Sequence, residues 1–317
     1  MGIRPVWILI AVGGLAIYAA TAIFADRHAL AEGIRALGAF GLIAVLLLSL
    51  GNYALRFWRW DWYLSKAGHS VPIGRHFQYY LAGFALTVTP GKAGEAVRSL
   101  YLKQHDVPYS QSLALLFIER LLDLCAIVML AGAYMLHLPQ YRAVAITAMS
   151  IVAAIVLTVG AGGWASKFTR GIATHLPDRA RKYCEHVADM LDSSRMMLRP
   201  ARLLIAVLVG LVAWGLEGYG LVILARALDI DLSVSEGVAI YASAILVGAM
   251  AFFLPGGVGG AELVMTVLLT RAGAPWHIAL IATIMCRLAT LWFAVVIGLI
   301  AMVLLQRRLP QEQLSRT

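Results

Sequence analysis

Long apolar stretches separated by short polar ones dominate the chain. Windows at 6–24, 39–57, 113–136, 144–163, 203–224 and 278–305 are each long and apolar enough to cross a bilayer, which takes about 20 residues of helix. They predict six transmembrane helices. Two further apolar regions, 77–88 and 238–254, run into helix-breaking sequence and are followed by short segments at 95–102 and 262–270. The breaks read Pro90-Gly91-Lys92-Ala93-Gly94-Glu95 and Pro255-Gly256-Gly257-Val258-Gly259-Gly260-Ala261-Glu262. Irregular backbone at membrane depth survives only where it is buried in protein or lines a wet cavity, so each region is read as a re-entrant hairpin.

The two breaks share a spacing. An arginine inside an apolar span stands 25 residues beyond the glutamate of each, Arg120 after Glu95 and Arg287 after Glu262. Asn52 lies 38 residues before Pro90 and Glu217 lies 38 before Pro255, while Gly83 and Gly248 each precede their proline by seven. Between equivalent points near 39 and 203 the expected path crosses the bilayer three times, and an odd number inverts the second unit. The fold expected is therefore an all-α polytopic membrane protein, one membrane domain over 1–317, with about six transmembrane helices plus two re-entrant hairpins arranged as inverted repeats. Repeat one covers about 39–136 and repeat two about 203–305, with 164–202 as a basic cytoplasmic connector. Transporters of this construction bind substrate near the midplane, at the repeat interface.

Composition agrees with the pattern. Of 317 residues, 61% are hydrophobic and 14% charged, against roughly 45–50% apolar in soluble domains. The 26 Lys and Arg against 17 Asp and Glu give a net charge of +9, but the basic residues collect between apolar segments instead of forming a stripe with aromatics, which excludes nucleic acid as a partner. Under the expected topology 18 of them fall on one side and five on the other, with Lys92, Arg120 and Arg287 in membrane segments. The positive-inside rule then puts both termini in the cytoplasm. The 6–24 run exceeds a signal-peptide core and is read as a retained helix, although Ala20-Thr21-Ala22 would suit cleavage.

Chemistry narrows to a few charged positions. Arg120 and Arg287 cost roughly 2.5–3.5 kcal/mol each at mid-membrane, so each needs an interior partner. Asp123 shares a helix face with Arg120, and Glu95 and Glu262 open the segments after the breaks, where a carboxylate favours a helix N-terminus. Two readings stand side by side: structural ion pairs, or arginines that exchange a carboxylate for an anionic substrate group. Glu217 and its repeat counterpart Asn52 are further candidate substrate contacts, as is Lys92 at the first hairpin tip. Pro90, Gly91, Gly94, Pro255, Gly256, Gly257, Gly259 and Gly260 are the expected hairpin breaks. The run Arg56-Phe57-Trp58-Arg59-Trp60-Asp61-Trp62-Tyr63 reads as an interfacial anchor. The connector reads either as an amphipathic surface helix or as a solvated link. Cys125, Cys184 and Cys286 fit neither a disulfide framework nor a zinc site, and HExxH, GxSxG and P-loop motifs are absent. No catalytic residue, metal or cofactor is assigned.

Thr89 to Glu95 (Thr-Pro-Gly-Lys-Ala-Gly-Glu), Glu119 to Asp123 (Glu-Arg-Leu-Leu-Asp), and Pro255 to Glu262 with Arg287 downstream together resemble the flippase-like transmembrane domain family of lysylphosphatidylglycerol synthases, the membrane half of the multiple peptide resistance factor. The resemblance covers nearly the whole chain. It implies a bacterial inner-membrane protein that moves or handles a lipid. Two-part members carry a cytoplasmic aminoacyl-transfer domain after this region, and with Thr317 about a dozen residues past the last span lysyl transfer is not expected here. The expected function is a flippase-like transporter of an anionic or polyisoprenoid lipid. The alternative is a membrane enzyme or enzyme partner in lipid, hopanoid or cell-envelope glycolipid synthesis. Membrane lipids are the expected partners, with lipid-synthesis enzymes beside them.

Overall fold

A computed structural model describes residues 5–89, 94–160, 163–250 and 257–314. Of the expected hairpin residues, Pro90, Gly91, Lys92, Pro255 and Gly256 lie outside them. Among the described residues there are twelve α-helices and no strand. They are α1 (Pro5–Lys66), α2 (Ile73–Phe84), α3 (Val97–Leu102), α4 (Tyr109–Met135), α5 (Pro139–Gly160), α6 (Trp164–Ala173), α7 (Asp178–Met197), α8 (Pro200–Ala227), α9 (Val234–Met250), α10 (Gly260–Arg271), α11 (Trp276–Arg287) and α12 (Phe293–Leu314). A π-helical turn, Leu288–Trp292, joins the last two.

Helix starts follow local chemistry. Proline occupies the first position of α5 and α8, where its missing N–H would have no helical partner. The sequence predicts a loop between the spans at 6–24 and 39–57, yet helix runs through it. The intervening Arg27 to Ala36 is rich in Ala, Leu, Arg and Glu and contains no proline, so helix formers outweigh the single Gly33. The run is nevertheless not one rod, because Gly38 adopts φ +66°, a left-handed conformation that redirects the axis.

Among the described residues, four stretches are long and apolar enough to cross a membrane: Arg27–Lys66, Pro139–Gly160, Pro200–Ala227 and Trp276–Arg307. The 27-residue α4 has the length to span as well, but carries Glu119, Arg120 and Asp123 in one turn. Large apolar side chains lie open on these helices, among them Phe40, Leu47, Leu157, Leu208 and Ile300. Water would penalise such surfaces and lipid does not. The protein is an all-α polytopic membrane protein.

The chain folds into two compact units. One comprises 1–53, 72–98 and 215–317, and the other 54–71 and 99–214. In the first unit α12 packs on α2, and α10 packs on both α9 and α11. The backbone of α12 at Gly298 presses on Phe84 and Ala85 at the end of α2. In the second, α4 lies against α5 and α7, and α6 against α7.

Candidate functional site

The described residues on either side of each break come close together within the first unit. At the first, the Gly94 N–H donates to Thr89 Oγ1 at 2.7 Å, joining its two sides, and residues 82–89 are buried throughout. At the second, Gly257 has φ +68°, and a Cβ there would lie 2.6 Å from the Gly248 carbonyl oxygen. A Cβ on Gly248 would stand 2.9 Å from the Ala261 Cβ. Only glycine at both positions lets the returning backbone come this close.

The second break ends in the arrangement that carries most of the chemistry. Glu262 sits in the first turn of α10, where one carboxylate oxygen accepts the Gly259 N–H at 2.7 Å, with Gly259 as N-cap and Gly260 the first residue of the helix. The other oxygen accepts Nε–H of Arg287 at 2.8 Å. Arg287 is 3% exposed, and the Glu262 side chain 13%. The expected 25-residue partnership is present here. Tyr18 and Tyr241 lie within electrostatic range of the guanidinium, and the Tyr241 hydroxyl donates to Glu217 at 2.6 Å.

The helix carrying Arg287 passes directly into the π turn. Widening the helix there frees carbonyls from the regular ladder, and α1 supplies donors for two of them. Ser49 Oγ donates to the Ala289 carbonyl at 2.8 Å, and the Tyr53 hydroxyl to that of Thr290 at 2.7 Å. Asn52 is fully buried on the same face of α1. Its neighbour Gly51 receives the Leu216 side chain of α8, beside Glu217. Asn52 and Glu217 thus flank one helix contact.

The first break is not followed by the same arrangement. Glu95 takes its cation from Arg98, three residues on, at 2.6 Å, and a hydrogen bond from Thr87 Oγ1 at 2.9 Å. The Arg98 guanidinium also lies 4.1 Å above the Tyr80 ring, packed against Gly83. A local partner at i+3 needs no loop ordering to reach, which favours it over one 25 residues away. Arg120 is instead the most exposed member of a cluster in the second unit, its side chain 28% exposed. It pairs with Glu119 at 3.0 Å and with Asp123 at 3.3 Å. Asp123 also receives Arg56 at 2.9 Å and Arg59 at 2.5 Å, and Arg56 reaches Glu119 at 3.3 Å.

Arg56, Arg59 and Arg98, which the sequence places among cytoplasmic loop charges, are therefore buried ion-pair members. Removing the three from the 18 leaves 15 against five, so the asymmetry persists. A signal for the first two was present. Val45, Ser49, Asn52, Arg56, Arg59 and Tyr63 recur at alternating spacings of four and three, and all are buried. A polar stripe at that period on an apolar helix faces protein.

Taken together, the lipid-exposed helices and interior charges define a polytopic helical membrane protein that stores ionised groups inside its fold. Its sequence matches the model of the family described as the lysylphosphatidylglycerol synthase TM region over residues 8–298, and the chain belongs to that family. It is a membrane protein of lipid metabolism or transport. No curated protein shows significant similarity to the chain.

Proposed function

We propose that the protein moves a lipid with an anionic headgroup between leaflets, and that the Glu262–Arg287 pair is its headgroup site. The observation that carries this is the dual engagement of the Glu262 carboxylate, one oxygen on a helix-terminal N–H and the other on a buried guanidinium. A phosphate presents oxygens to the same two kinds of donor, and arginine and helix N-termini are its usual ligands. In this reading Glu262 occupies the site at rest and is displaced by the headgroup, so that Arg287 is never left uncompensated. Glu217 and Asn52 border the site. Arg120 provides a further anionic contact in the second unit, with Asp123 as its resting counter-ion, while Glu95 is held by Arg98.

The proposal includes two re-entrant hairpins in inverted repeats. The chain reversals at Gly94 and Gly257 support the hairpins, and the shared spacing supports the repeats. It places the protein in the bacterial inner membrane with both termini cytoplasmic, on the remaining basic asymmetry.

The test is reconstitution in liposomes carrying a headgroup-labelled anionic lipid whose outward exposure is read by a membrane-impermeant quencher. Wild type should equilibrate the label, and Arg287→Gln should slow it about tenfold or more, the scale of one charge-assisted hydrogen bond. Altered lipid products in cells expressing the variant, with no label movement by wild type, would favour the synthetic role instead.

A further inference from the structure

We propose that α6 lies along the membrane surface with Trp164, Phe168 and Ile172 in the headgroup zone, and that the basic residues around it recognise anionic phospholipid. The polarity of this helix is inside out for an element in water. Its polar side is committed to α7, where Ser166 Oγ donates to Asp192 at 2.6 Å and Arg170 bridges Asp189 at 2.9 Å and Asp192 at 2.8 Å. Trp164, Phe168 and Ile172 recur every fourth residue and are 54%, 63% and 44% exposed. At 100° per residue their stripe is centred about 180° from Ser166 and Arg170, so α7 cannot cover it.

The chain path fixes where the stripe must lie. Helix α5 is one of the stretches that can span a membrane and ends at Gly160, and α6 begins at Trp164 after a left-handed Gly163. Four residues reach at most about 14 Å, so α6 starts at the interface, where tryptophan prefers to sit. Its apolar face thereby continues the lipid-facing surface of α5. The occupant is read from charge. Residues 164–202 carry eight Lys and Arg against four Asp and Glu, and Lys167 borders the stripe. Apolar residues flanked by surplus basic ones match an anionic lipid surface. This surface is separate from the Glu262–Arg287 pair and does not depend on which lipid is moved.

The test uses the full chain with its three cysteines replaced by alanine and one cysteine introduced, Phe168→Cys or, off the stripe and exposed, Thr174→Cys, carrying an environment-sensitive fluorophore. Each is reconstituted in nanodiscs of phosphatidylcholine alone or with one third phosphatidylglycerol. The expected result is that the label at 168 is quenched at least threefold more by a nitroxide lipid than by aqueous iodide, and the label at 174 the reverse. Phosphatidylglycerol should deepen the label at 168, and Lys167→Glu should abolish that deepening. Equal iodide access at both positions would overturn the proposal. So would lipid quenching indifferent to phosphatidylglycerol, or shielding at 168 that appears only when a cell extract is added.

Discussion

Glu262 and Asp123 solve the same problem differently. Each offsets the cost of a buried guanidinium, but Glu262 serves one arginine and a helix end, whereas Asp123 lies among Arg56, Arg59 and Arg120. Removing the shared carboxylate takes from Arg59 its carboxylate partner and leaves Glu119 alone to serve both Arg56 and Arg120. Asp123→Ala should therefore destabilise the protein by about 3–5 kcal/mol, the usual scale for breaking a buried pair, read as a lowered melting temperature in detergent. Glu262→Gln keeps the shape and one acceptor oxygen, so it should cost less stability than Asp123→Ala while changing labelled-lipid movement. A variant that melts early yet moves lipid normally would make the pair structural only. The Glu262–Arg287 partnership was legible in the sequence as one of those open to Arg287, because both groups sit in apolar surroundings 25 residues apart. The Glu95 partnership was not, since Arg98 was taken for a loop charge.

At the scale of elements, the π turn after Arg287 depends on a neighbour. The donors from Ser49 and Tyr53 hold two of its carbonyls, so the double variant Ser49→Ala, Tyr53→Phe should cost about 1 kcal/mol per bond and raise amide hydrogen exchange at 288–292. Unchanged exchange there would mean the turn is held by packing alone. Gly248→Val, by contrast, should destabilise by about 1–3 kcal/mol through overpacking against Ala261 and Gly257, checked by the same melting measurement. The α6–α7 contact carries its own pH dependence. The hydrogen bond from Ser166, with Arg170 beside it, holds the Asp192 carboxyl below its ordinary value. A carboxyl depressed in the folded state stabilises above the ordinary aspartate value of about 3.9 and loses that contribution as pH falls below it. Protection of α6 from exchange should accordingly fall below about pH 4, and Asp192→Asn should abolish the dependence.

For the whole molecule, the lipid-facing helices and the net charge are cumulative properties to which many residues contribute, and they were legible before any contact was known. Reassigning Arg56, Arg59 and Arg98 leaves 15 basic residues against five, so reporter fusions at both ends should locate both termini in the cytoplasm. A periplasmic terminus would overturn the expected crossing number. Apolar length, the glycine-rich breaks and the unlikely arginines fixed an all-α membrane fold by themselves, because lipid forbids most alternatives to continuous helix. Which carboxylate neutralises which arginine was decided only by tertiary structure. Several acids stand near enough in sequence to serve each cation, and the choice rests on helix register and packing, which bring Arg56 and Arg59 onto α4 and leave Arg98 to Glu95. The same packing decided that the polar face of α6 turns toward α7, a matter of orientation that its sequence period alone leaves open.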